Sequence, residues 1–192
     1  MSFYRVAVNI IHGVFKVFLL YRAKHKENIP EEGAFLLCSN HRSYKDPILI
    51  AAGCKRDLTF MSKEELFKKP VLGWLIKKLG AFPIKRGKGD AAAVMATLKI
   101  MKKGQPTLIF PEGTRMKKGE RKEINSGIIR LAMQANVPIV PAYVTGNSVT
   151  YGTPISYAEY CEQAQNTEVM QNLANELMDI IYSLGEKNGK KN

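Results

Sequence analysis

Residues 34–53 read AFLLCSNHRSYKDPILIAAG. An apolar run of strand length (34–39) ends in the polar turn NHRSYKD, and Pro47 then opens an apolar segment of helical character (47–53). Strand, polar loop, helix is the repeating unit of an α/β fold. The pattern recurs outward from this stretch. LTFM (58–61), AFPIK (81–85), TLIF (107–110) and PIVPAYV (138–144) read as further buried strands. Helical patterns fall near 70–79, 90–103, 126–135 and 167–184, with Asp90 placed to cap the second of these and Gly104 to end it. Such alternation predicts a largely parallel central sheet flanked by helices. In sheets of this kind the functional residues gather in the loops beyond the strand ends.

The chain has 192 residues, room for one domain and a short appendage. The expected division is an N-terminal amphipathic helix over 1–24, a folded domain over 25–187 and a polar tail over 188–192. Lys and Arg number 29 against 17 Asp and Glu, a net charge of +12. That excess favours anionic partners such as lipid headgroups or nucleic acid. The aromatics do not interleave with the basic residues as on an RNA-binding strand, so no nucleic acid is expected. Cys38, Cys54 and Cys161 stand far apart with no CxxC pair, which argues against a zinc ribbon and against a disulfide framework.

The N-terminal stretch SFYRVAVNIIHGVFKVFLLYR is apolar but interrupted by Arg5, Asn9, His12 and Lys16, spaced 4, 3 and 4. On a helix these form one narrow polar stripe. The run is too broken to span a bilayer and has no small-residue cleavage site. Two readings stay open: a helix packed into the core, or one lying in a membrane interface. The cationic stripe favours the second, with Phe3, Arg5, Phe15, Lys16 and Phe18 as contacts. A further candidate contact is Trp74 in KKPVLGWLIKKLG, where lysines flank an apolar helix face; packing of Trp74 on the sheet is the competing reading.

His41 and Asp46, in the loop after the first strand, are the residues best suited to proton transfer. An imidazole exchanges a proton near neutral pH, and a carboxylate on its second nitrogen holds one tautomer and stabilises the cation formed. The competing reading makes Asp46 a helix cap and His41 an idle loop residue. After the fourth strand comes PEGTR. Glu112 and Arg115 are costly beside a core unless paired or functional, Gly113 permits tight backbone approach, and Arg115 offers a forked donor for phosphate or carboxylate. Arg86 follows another strand and adds a second cation. There is no GxSxG elbow and no GxxxxGK[ST] loop, and His41 with Asp46 supplies too few ligands for zinc.

Taken in order, NHRSYKD, GAFPIKR, FPEGTR and VPIVPAY resemble the four sequence blocks of the 1-acylglycerol-3-phosphate acyltransferases. The resemblance covers about residues 34–144. It implies a glycerol-3-phosphate acyltransferase-like α/β fold. It also implies transfer of a fatty acyl group from acyl-CoA or acyl-acyl carrier protein to the sn-2 hydroxyl of lysophosphatidic acid, giving phosphatidic acid. His41 would be the general base and Asp46 its partner. Arg86, Glu112, Gly113, Thr114 and Arg115 would form the acceptor site. No acyl-enzyme, metal or prosthetic group is implied. The expected setting is peripheral or monotopic on the cytoplasmic face of the cell membrane, against anionic lipids, with oligomeric state left open. This chain departs from the family pattern in having Met116 after EGTR, where serine is common, and Ser126 before Gly127, where lysine is frequent. Another lysophospholipid or an amino lipid as acceptor is therefore the alternative chemistry. A non-catalytic anionic-lipid or nucleic-acid-binding module on the same scaffold is the alternative of another class.

Overall fold

The computed structural model describes residues 4–6, 10, 21–84, 90–117 and 120–189. Seven strands form one sheet: β1 Arg22–Lys24, β2 Leu36–Ser39, β3 Thr59–Lys63, β4 Ala81–Ile84, β5 Thr107–Ile109, β6 Ile139–Thr145 and β7 Ser148–Tyr151. Their spatial order is β1-β7-β6-β2-β5-β3-β4. Strands β4, β3, β5, β2 and β6 run parallel, and β7 turns back antiparallel on β6 with β1 alongside it. The helices are α1 Asp46–Gly53, α2 Glu64–Phe67, α3 Pro70–Lys78, α4 Asp90–Met101, α5 Gly127–Ala135 and α6 Thr167–Gly189.

The continuous apolar strands have the physical cause expected of a sheet covered on both faces. Along β2, Leu36 and Cys38 enter one core with Ile139, Ile129, Leu177 and Ile181. Phe35 and Leu37 enter the other with Leu49, Ile50, Val140 and Tyr151. Pro141 lies inside β6, yet it breaks no ladder bond to β2. Its carbonyl accepts Gly152 N–H at 2.7 Å, on the β7 side, so the missing amide also faces that way. Gly104 closes the chain after α4 with φ +77, the left-handed geometry that suits glycine.

Helix α1 is seated by two buried phenols. Tyr21 donates to Leu49 O and Tyr151 to Ile50 O, both at 2.7 Å. Helix α6 shows buried residues at 170, 173, 174, 177, 178, 181 and 182, the single-face spacing of a helix packed on a sheet.

The structure revises several expectations. β1 lies inside the stretch assigned to the N-terminal helix, so the sheet begins before the boundary at residue 24. Three residues are too few to carry a periodic signal, and pairing with β7 is what makes them a strand. β7 and α2 were not anticipated for the same reason. α6 continues to Gly189, into the stretch read as a polar tail.

The expected outward orientation of Arg5 is also revised. Arg5 turns onto the domain, with Nε 2.5 Å from Asp57 Oδ1 and further donation to the carbonyls of Cys54 and Lys55. Beside it Tyr4 is buried, and its hydroxyl accepts Leu58 N–H at 2.9 Å. A nearby carboxylate outweighs a generic preference of a cation for headgroups. Val6 and Ile10, four residues apart on one face, remain exposed. Phe3, Phe15, Lys16 and Phe18 lie outside the described residues. Among the described residues no helix is long and apolar enough to cross a membrane.

Candidate active site

The loops after β2 and β5 leave the same edge of the sheet, because these neighbouring strands are parallel. Asn40 ends β2. Its side-chain amide donates to Val144 O at 3.0 Å and accepts Val144 N–H at 2.7 Å, replacing a strand pairing on β6 with a side chain. The chain then swings out into the loop that carries His41.

His41 Nδ1 lies 3.1 Å from Asp46 Oδ2. The same oxygen accepts Arg42 N–H at 2.6 Å and Ser43 N–H at 2.7 Å. Asp46 is 2% exposed. The simple capping alternative therefore fails here: the carboxylate turns back into the loop instead of satisfying the first amides of α1. With Nδ1–H donated to Asp46, Nε2 is left as the proton acceptor. The ring stacks on Phe110, which follows β5, with centroids 4.0 Å apart and planes 20° apart. One hydrogen bond and one aromatic face thus set the ring's position and plane.

The PEGTR loop grips the backbone of the same residue. Glu112 Oε2 accepts His41 N–H at 2.7 Å, and Met116 N–H donates to His41 O at 2.8 Å. Gly113 makes the turn between these two contacts with φ +67, a conformation that costs an L-residue about 1–2 kcal/mol. The expectation that Glu112 forms part of an acceptor site is revised in one respect. Its carboxylate faces inward, 2% exposed, and its second oxygen accepts the Tyr182 hydroxyl at 2.5 Å. Burial raises the Glu112 carboxyl above the usual carboxylate range, against the lowering influence of the Tyr182 and His41 hydrogen bonds and of the His41 and Arg42 charges.

Thr114 and Arg115 are exposed at the tip of this loop. The Arg115 guanidinium lies over the ring of Tyr44, 3.5 Å from its centroid, and that of Arg42 lies 5.6 Å from the centroid of Tyr143. Neither makes a carboxylate ion pair among the described residues. β4 ends at Ile84 on this edge, and Arg86 lies outside the described residues.

Sequence reasoning missed Arg42, Phe110 and Tyr182. Arg42 and Phe110 adjoin motif residues, but nothing in their spacing distinguishes them. Tyr182 sits on the apolar stripe of α6, where a buried phenol needs a hydrogen-bond partner; the partner's identity was not readable. Among the described residues no group of three or more His, Cys, Asp or Glu is placed to hold a metal.

The chain is an α/β domain whose mostly parallel sheet carries a carboxylate-held histidine and an arginine-bearing loop at one edge. The chain belongs to the Acyltransferase family, whose model matches residues 21–145. It is 29% identical over 176 residues to the 1-acyl-sn-glycerol-3-phosphate acyltransferase of Streptococcus pneumoniae, covering 84% of this chain and 64% of that one. It is 28% identical over 146 residues to the Bacillus subtilis protein of the same name, covering 76% and 72%. A shorter match, 33% over 111 residues, is to the lyso-ornithine lipid O-acyltransferase of Pseudomonas aeruginosa, covering 57% and 42%. The crystal structure of the 1-acyl-sn-glycerophosphate acyltransferase PlsC from Thermotoga maritima shares the fold. Its TM-score is 0.75 at 21% identity, over 96% of this chain and 81% of that one.

Proposed function

We propose that this protein transfers a fatty acyl group from acyl-CoA or acyl-acyl carrier protein to the sn-2 hydroxyl of 1-acylglycerol-3-phosphate, giving phosphatidic acid. The observation that carries the reading is His41 held by Asp46 with Nε2 left as acceptor, together with the Arg115 and Arg42 guanidinium groups, which pair with no carboxylate among the described residues. The names of the relatives from Streptococcus pneumoniae and Bacillus subtilis support the choice of acceptor.

In this mechanism His41 Nε2 takes the proton as the sn-2 oxygen attacks the thioester carbonyl. The imidazolium is stabilised by Asp46 and by the face of Phe110. Collapse of the tetrahedral intermediate breaks the C–S bond, and His41 returns the proton to the departing thiolate. No acyl-enzyme forms. Arg115 and Arg42, with Arg86, bind the acceptor phosphate, and Thr114, next to Arg115 in the chain, contributes to the same site. Glu112 positions His41 and does not touch substrate. No metal or prosthetic group takes part.

The test is an assay of the purified protein against lysolipids differing in headgroup, with both thioester donors. Preference for lysophosphatidic acid is expected. Preference for lyso-ornithine lipid would favour the second acceptor class, which the name of the Pseudomonas relative supports. No transfer to any acceptor would return the scaffold to a binding role.

Arg115→Ala is expected to weaken acceptor use about ten- to a hundredfold, the worth of one charge-assisted contact, with little effect on the thioester KM. Lysine should rescue in part, since it lacks the planar fork that stacks on Tyr44. A defect confined to the donor KM would contradict the assignment.

The protein acts as a peripheral or monotopic enzyme at the cytoplasmic face of an anionic membrane. Val71 and Trp74 on α3 are 77% and 54% exposed, with Lys68, Lys69, Lys77 and Lys78 around them, and Val6 and Ile10 add an exposed apolar face. Binding to phosphatidylglycerol vesicles should weaken with salt yet persist, because headgroup attraction is screened and apolar insertion is not. Trp74→Ala should reduce the salt-resistant part. Binding abolished by salt alone would overturn the insertion model.

A further inference from the structure

The region matched by the family ends at residue 145, yet the backbone of His41 is tied to a residue far beyond it. Tyr182 on α6 donates to Glu112 Oε1 at 2.5 Å, and Glu112 Oε2 accepts His41 N–H at 2.7 Å. The Tyr182–Glu112 link is shielded from water, with Tyr182 6% and Glu112 2% exposed, and the Glu112–His41 link is partly buried. A carboxylate that bridges two donors transmits the position of one to the other. We propose that Tyr182 is a positioning residue for the reaction: through Glu112 it holds His41 where Nε2 meets the acceptor hydroxyl.

The chemistry of the relay is consistent along its length. Burial and the adjacent Glu112 carboxylate push the Tyr182 phenol up, so it stays protonated and remains a donor. Its ring is held edge-on by Tyr143, with centroids 6.2 Å apart, and is covered by the Arg121 guanidinium at 4.5 Å. Arg121 in turn pairs with Asp179 and Glu186 of α6 at 3.4 and 3.6 Å. The hydroxyl therefore has a fixed aim that packing of α6 alone would not require. A phenylalanine would fill the same space on the same apolar stripe.

The relay also has a sign with pH. Glu112 must be ionised to accept strongly from both donors. Burial raises its carboxyl, and the Tyr182 hydroxyl is first among the influences that lower it. The other charges acting on it are His41 and Arg42 from the β2–α1 loop; Lys122 Nζ reaches the Glu112 backbone carbonyl at 3.4 Å, and Arg121, from the segment after β5, lies over the Tyr182 ring. Removing the Tyr182 hydroxyl leaves these cations in place but deletes a stabiliser of the charged form. The carboxyl then rises further, and as pH falls Glu112 takes up its proton earlier.

This proposal rests on the acyl-transfer reading for its kinetic arm only. Tyr182→Phe is expected to lower kcat about five- to thirtyfold, a fraction of what a charge-assisted bond is worth, with acceptor KM unchanged. The acidic limb of the rate profile should move to higher pH. Hydrogen exchange of the His41 amide, read without substrate, should quicken while amides of β2 and the rest of α6 keep their protection. Glu112→Gln should quicken His41 exchange and lower kcat likewise, though it removes the titrating carboxyl, and the double variant should be no worse than Glu112→Gln alone, because both break one chain. A folded Tyr182→Phe protein with an unmoved pH limb and unaltered His41 exchange would overturn the proposal, as would multiplicative losses in the double variant. A purely structural Tyr182 would instead loosen α6 broadly and leave the pH limb in place, which also overturns it. If Tyr182→Phe fails to fold, exchange of the His41 amide in Glu112→Gln decides the matter: unchanged protection rejects the relay. A wild-type protein inactive on every lysolipid would sink the acyl-transfer reading, and the exchange results would stand independently.

Discussion

His41→Ala is expected to lower acyl transfer about 10²–10⁴-fold, the range that a general base supplies, with the thermal transition little changed. The fold should survive because the contacts that place this residue in the structure are made by its backbone. Its N–H goes to Glu112 and its carbonyl to Met116, and neither needs the imidazole. What is lost is the bond to Asp46, within the same loop, and the stack on Phe110 after β5, both at the rim of the sheet. Single-turnover rates with saturating thioester and lysophosphatidic acid, alongside a thermal melt, separate the two effects. Near-normal turnover in a folded His41→Ala protein would exclude His41 as the base.

Asp46→Asn is expected to fall in the same range, for a reason specific to this loop. One oxygen of Asp46 receives three donors, His41 Nδ1–H, Arg42 N–H and Ser43 N–H. An asparagine that turns its oxygen toward the two amides keeps the loop but loses the charge that stabilises the imidazolium. One that turns its NH₂ toward them leaves two backbone donors facing a donor, and drives His41 toward the opposite tautomer. Either orientation harms catalysis, so the rate should drop severely even where folding is preserved. Turnover within a few-fold of wild type would mean that Asp46 serves the loop and not the base.

The contrast between these two residues shows what one dimension carries. The spacing His41-x4-Asp46 was readable because both lie in one short loop, where local chain geometry brings them together. The alternation of apolar runs with helical patterns identified five of the seven strands to within one or two residues at most boundaries. Burial on both faces makes such strands continuous and conspicuous. β1 and β7 escaped because a strand of three or four residues owes its state to pairing across the sheet, not to its own composition. Arg5 illustrates the opposite failure. Its position on a polar stripe was legible, but the direction of its own side chain depended on Asp57, 52 positions away, at the end of the ion pair.

By itself, then, the sequence determined the α/β class, the pairing of His41 with Asp46 and the loop that carries Arg115. All of these depend on periodicity, on turn chemistry or on residues close along the chain. Tertiary structure decided which way each polar side chain faces. It turned Glu112 from the solvent side to the interior, laid Arg115 over Tyr44, and brought Tyr182 from the last helix to the back of the loop that carries His41. The physical reason is that a buried carboxylate must find donors wherever the fold presents them. Those donors belong to β2's loop and to α6, on either side of Glu112 by 71 and 70 positions, so no local pattern could announce them.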